Sequence, residues 1–153
     1  MKHWCLFAAL VLVPVQANSE TLMTAEQVSV AAKEGVSFVS DAYIVERQAA
    51  NSDLLLFDVR TEQEYELGRV PGAVWMPRGK LEFDVAKSVR DANAEIILYC
   101  RTGSRAALAK KALEAQGYTN VAAHGGFESW SEAGGLVETD LGMLRRVEDT
   151  EQE

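Results

Sequence analysis

The sequence predicts an α/β fold: a central parallel sheet with helices on both faces. Leu54–Val59 and Ile96–Tyr99 are unbroken apolar runs of strand length, the pattern of strands buried on both sides. Each run leads within a few residues into a helical pattern. The first passes through Thr61-Glu62-Gln63-Glu64, a capping box, and the second through an alanine-rich amphipathic stretch that reaches Gln116. Strands that alternate with helices pair in parallel, and such sheets hold their ligands at the carboxyl ends of the strands.

The remaining elements follow in chain order. Thr24-Ala25-Glu26-Gln27 is a capping box that opens a helix to about Lys33, with Gly35 ending it. Phe38-Val39 makes a brief strand, Ser40-Asp41 caps a helix over 42–50, and Asn51-Ser52-Asp53 turns the chain into the first long strand. Gly68 stops the helix begun at Thr61, Pro71-Gly72 turns, and Ala73–Met76 is a short strand. Lys80–Asn93 carries a helical pattern. Gly117 closes the alanine-rich helix, Val121-Ala122-Ala123 is a last small strand, and Phe127–Ala133 gives a final turn or two of helix. Gly125-Gly126-Phe127 with Trp130 reads as a packing device, and His124 stands alone. From Glu138 the chain turns polar and acidic, the composition of a solvated, frayed tail.

With 48% hydrophobic and 25% charged residues, the chain has an ordinary globular composition, which excludes the disordered and fibrous classes. A net charge of −8 argues against nucleic acid as a partner. The N-terminus differs from the rest. Met1-Lys2-His3 is a basic start, Trp4–Val15 is an apolar run broken only by Pro14, and Val15-Gln16-Ala17 offers small residues for cleavage. Residues 1–17 therefore read as a signal peptide, followed by a helical lead-in over 18–35, the main domain over 36–138 and an acidic tail over 139–153. The apolar run is too short to persist as a membrane span, so the expected product is exported, secreted or periplasmic, with no membrane attachment after processing. Removal of the leader leaves Cys100 and His124 alone of their kinds. One cysteine makes no internal disulfide, one Cys with one His is too little for a zinc site, and no cofactor is expected.

The remaining cysteine sits where chemistry is placed in such folds. Cys100 ends the Ile96–Tyr99 strand, Arg101-Thr102-Gly103-Ser104 follows, and Arg105 closes the loop before the next helix. So short a loop turns successive backbone N–H groups inward, and the helix adds its positive N-terminal end. Such a nest favours a thiolate, the nucleophile of sulfur chemistry. A buried inert cysteine would not call for polar, basic and glycine residues at this spacing.

Asp58-Val59-Arg60, Gly68-Arg69-Val70-Pro71-Gly72-Ala73, Cys100–Arg105 and Gly125-Gly126-Phe127-Glu128-Ser129-Trp130 stand in the order and spacing of a single-domain rhodanese, a sulfurtransferase, and the resemblance covers residues 36–138. Arg69 departs from it, because this family usually has His there. The resemblance implies a rhodanese-like fold, a Cys100 persulfide, an anionic sulfur donor of the thiosulfate type, and a thiol or cyanide acceptor. It makes Cys100 and Arg105 the catalytic pair and implies that Asp58 and Arg60 support the loop. Arg101, Thr102, Gly103 and Ser104 are expected to bind substrate, with Arg78 adding positive potential at the mouth. Two other readings remain open. One is a persulfide carrier or partner-binding module without turnover. The other is a cysteine phosphatase or arsenate reductase, although the phosphatases this loop resembles place five residues between Cys and Arg where this chain has four.

Overall fold

The computed structural model describes residues 22–146. The expected signal peptide and the end of the acidic tail lie outside them. The described chain runs α1 (Ala25–Lys33), β1 (Phe38–Val39), α2 (Asp41–Ala50), β2 (Leu55–Asp58), α3 (Glu62–Leu67), β3 (Val74–Trp75), α4 (Leu81–Ser88), β4 (Ile96–Tyr99), α5 (Ser104–Ala115), β5 (Val121–His124), α6 (Phe127–Glu132), β6 (Leu136–Thr139) and β7 (Gly142–Arg145). The first five strands form one sheet in the order β1-β5-β4-β2-β3, every pair parallel, as expected from the buried runs.

Alternation along β4 divides the core. Ile96, Leu98 and Cys100 join Leu81 and Val85 of α4 and Ala106, Ala109 and Leu113 of α5 on one face. Ile97 and Tyr99 join Ile44 of α2 and Trp130 of α6 on the other. All four residues of β4 are fully buried, which explains why its sequence is apolar throughout. Emptying such a position, for instance Leu98→Ala, costs about 2–5 kcal/mol. On the second face Glu95, just before β4, accepts from Arg47 at 2.6 and 2.8 Å and from Asn51 at 2.9 Å, which fixes the end of α2 to the sheet. α1 packs on α5, where Lys111 donates to the Ala32 carbonyl at 3.0 Å.

This order sets the site. Asp58 pairs with Tyr99 across β2 and β4, and Leu98 with Ala123 across β4 and β5. The segments leaving β2, β4 and β5 therefore emerge side by side at the carboxyl end of the sheet, with Cys100 in the middle.

Two expectations are corrected. The helix expected over 80–93 stops at Ser88, because the Asp91 carboxylate captures the Asn93 amide at 2.8 Å in a local turn that competes with further helix. The tail expected to fray from Glu138 instead begins with the antiparallel β6–β7 hairpin. Arg69 is the reason. It exchanges two 2.9 Å backbone hydrogen bonds with Glu138, its guanidinium grips the Glu138 carboxylate at 2.8 Å and reaches Asp140 at 3.4 Å, and it lies 4.8 Å over the Tyr65 ring. The other Glu138 oxygen accepts from the Gly72 amide at 3.0 Å. A single arginine thus anchors an acidic segment that composition alone reads as loose.

Gly72 first, then Arg69, holds the Glu138 carboxyl below its usual 4.5. The tie therefore contributes in full above pH 4.5 and fades as pH falls below it. Glu138→Ala is expected to cost about 1 kcal/mol at pH 7, and this gap should close in acid. Thermal melts of parent and variant at pH 7 and pH 3 measure it, and equal midpoints at pH 7 contradict it.

Candidate active site

The Cys100 loop owes its shape to the segment that leaves β5. The carbonyl of Cys100 accepts from the Phe127 amide at 2.7 Å, and that of Arg101 from the Glu128 amide at 3.1 Å. With these carbonyls bonded outward to the start of α6, the loop curls around the sulfur, and the Gly103 amide donates to Cys100 Sγ at 3.2 Å. Gly103 sits at φ +90, and a Cβ there would come within 3.1 Å of the Gly125 carbonyl. Gly126 is tighter: at φ +131, a Cβ would stand 2.2 Å from the Arg101 carbonyl oxygen. Only glycine permits both the backbone angle and the approach. Gly126, read from sequence as part of a packing device, is therefore, together with Gly103, what lets the loop close.

Cys100 is 1% exposed, and α5 begins immediately behind the loop, so its N-terminal end adds to the positive field at the sulfur. Arg105 is half-buried in the first turn of α5. Its guanidinium makes a two-pronged contact with Glu64 at 2.8 and 3.0 Å. That contact is the main cause holding the Arg105 pKa above its ordinary value, and attraction to Cys100 adds to it. The reciprocal effect lowers the Glu64 carboxyl to about 2, Arg105 again being the first cause. Glu64 also closes the α3 capping box with Thr61, so one carboxylate both starts a helix and aims the arginine.

The expected substrate contacts separate. Arg101 and Thr102 are exposed and Gly103 is buried. The Ser104 hydroxyl is engaged by Ser29 of α1 at 2.6 Å, which leaves its backbone, not its side chain, to the loop. Arg101 pairs with Glu128 at 2.8 Å. Arg78 lies on the β3–α4 connection, where Glu82 takes its guanidinium with both oxygens, at 2.7 and 2.8 Å. Asp58 and Arg60 form a buried pair at 2.6 Å; Arg60 also donates to the Gly68 carbonyl at 2.6 Å and lies 4.1 Å over the Phe127 ring. They stand under the residue whose amide holds the Cys100 carbonyl.

Sequence reasoning missed three residues. Glu64 was visible as a cap, but its grip on Arg105 was not. Glu128 gave no signal. His124 looked isolated, yet its Nδ1 accepts from the Gly126 amide at 3.1 Å and its Nε2 lies 2.6 Å from Asp41. An accepting Nδ1 assigns the proton to Nε2, which donates to the Asp41 carboxylate. This pair steadies Gly126, and through it the loop.

The comparisons agree with this geometry. The rhodanese-like domain model matches residues 41–133. A sulfurtransferase of Allochromatium vinosum is 30% identical over 100 residues, covering 65% of this chain and 92% of that protein. The thiosulfate sulfurtransferase PspE of Escherichia coli is 34% identical over 71 residues, 46% of this chain and 68% of its own. Among solved structures, the polysulfide-sulfur transferase homodimer of Wolinella succinogenes superposes with a TM-score of 0.60 at 31% identity, covering 82% of this chain and 90% of that one. With a family model that spans more than half of the chain and a strand-end cysteine in a glycine-closed loop, the chain belongs to the rhodanese-like domain family.

Proposed function

We propose that this protein is an exported sulfurtransferase that moves a sulfane sulfur from an anionic donor such as thiosulfate to a thiol or cyanide through a Cys100 persulfide. The observation that carries this reading is the Gly103 amide 3.2 Å from Cys100 Sγ inside a loop of only four residues between Cys100 and Arg105. A ring this narrow suits one added sulfur atom and not a tetrahedral phosphate in line with the thiolate, which favours sulfur transfer over the phosphatase reading.

In the first step the Cys100 thiolate attacks the outer sulfur of thiosulfate. The donor S–S bond breaks, sulfite leaves with the electron pair, and the outer sulfur stays on Cys100 as a persulfide anion. In the second step the acceptor attacks that outer sulfur, the persulfide bond breaks, and its electron pair returns to Cys100. The Gly103 amide and the α5 N-terminus favour the anionic sulfur in both steps. Arg105, aimed by Glu64, adds its attraction to the sulfur.

After thiosulfate treatment of the full chain, mass spectrometry should show one added sulfur on Cys100, and cyanide should remove it. Cys100→Ser should lose both the adduct and turnover while keeping its circular dichroism, because a hydroxyl fills the same space but is a poor nucleophile. Hydrolysis of an aryl phosphate by the parent, with no adduct, would overturn the reading. Adduct formation without turnover would favour the carrier reading. Export belongs to the same proposal, and N-terminal sequencing of the exported form should begin at Asn18; a chain that retains Met1 contradicts that part.

A further inference from the structure

The arginines from which the sequence expects positive potential are each matched by a carboxylate. Arg101 is held by Glu128 at 2.8 Å, Arg105 by Glu64 at 2.8 Å and Arg78 by Glu82 at 2.7 Å. A dianionic donor such as thiosulfate has still to be drawn to a chain whose overall charge is −8. A cation without such a partner comes from α1, which precedes the rhodanese-like domain yet lies against its active-site loop. Ser29 of α1 bonds the Ser104 hydroxyl at 2.6 Å, and Lys111 of α5 donates to the Ala32 carbonyl at 3.0 Å. These two contacts hold α1 beside the loop. There the stem of Lys33 packs on Gly103: a Cβ on that glycine would stand 3.5 Å from Lys33 Cε. Gly103 is the residue whose amide faces Cys100 Sγ. Lys33 is half-buried, and its ammonium has no carboxylate partner among the described residues.

We propose that Lys33 is a specificity-determining residue for the sulfur donor, an unpaired point charge beside the Cys100 loop that favours a dianion over a monoanion. The proposal rests on the sulfur-transfer reading above. An ammonium on a flexible stem keeps its full charge, whereas the fixed carboxylates beside the arginines cancel most of theirs at a distance. The donor's outer sulfur meets Cys100 while its sulfonate end stays outside the loop, within the field of Lys33. The Cys100 thiolate attacks that outer sulfur, the donor S–S bond breaks, and sulfite departs with the electron pair, leaving the persulfide anion on Cys100. Lys33 takes no part in bond making; it sets how readily the charged donor is bound. A lysine in the last turn of α1 also suits the helix dipole. That role bears on stability and treats every donor alike.

The test measures kcat and KM of the full chain, with cyanide as acceptor, for two donors that hand over the same kind of sulfur: dianionic thiosulfate and monoanionic methanethiosulfonate, which releases methanesulfinate. Each donor's intrinsic reactivity cancels when parent and variant are compared. Lys33→Met keeps the apolar stem and removes the charge, so the thiosulfate-to-methanethiosulfonate ratio of kcat/KM should fall about threefold, chiefly through KM, and should depend less on ionic strength. Lys33→Arg should restore the ratio. Lys33→Gln, with a polar tip and no charge, should match Lys33→Met, which keeps a folding defect in one variant from deciding the outcome. An unchanged ratio, equal losses for both donors, or a fall that Lys33→Arg does not restore overturns the proposal while the sulfur-transfer reading stands. A parent that forms no persulfide with either donor removes both.

Discussion

The site depends on one backbone contact. The Cys100 and Arg101 carbonyls are bonded to the first amides of α6, and this is possible only because Gly126 brings that segment to within a distance no side chain would allow. Once those carbonyls are turned outward, the amide of Gly103 is free to face the sulfur. The supporting residues act on the same contact from several directions. Arg60 supports the Phe127 ring from below, His124 holds the Gly126 amide, and Asp41 orients His124. The neighbouring parallel strands make this convergence available, since the chain leaves β2, β4 and β5 at the carboxyl end of the sheet.

Electrostatics at the mouth is organised by pairing. Each arginine around the loop has a fixed carboxylate partner, which orients its guanidinium and cancels most of its long-range field. Stabilisation of an anionic sulfur then falls on the Gly103 amide, the α5 N-terminus and the attraction of Arg105.

The fold was legible in sequence because buried parallel strands are continuously apolar and because caps such as Thr24, Ser40 and Thr61 mark where helices start. Cys100 and the glycines around it were legible for a related reason, since backbone geometry leaves a local trace in residue type. Long-range pairing leaves no such trace. Asp41 and His124 are 83 positions apart, Glu64 and Arg105 are 41 apart, and Arg69 reaches Glu138 across 69. Those pairings turned a helix cap into a positioning group, a lone histidine into a support and an acidic tail into a hairpin.

The central claim is that the Gly103 backbone amide holds the sulfur that the proposed reaction adds to Cys100. Amide resonances of the isotope-labelled protein, recorded before and after stoichiometric thiosulfate, test it most directly. The account predicts the largest shift at Gly103 and smaller ones at its loop neighbours, with β6–β7 unmoved, all reversed by cyanide. A persulfide that forms on Cys100 while the Gly103 amide stays in place would contradict it.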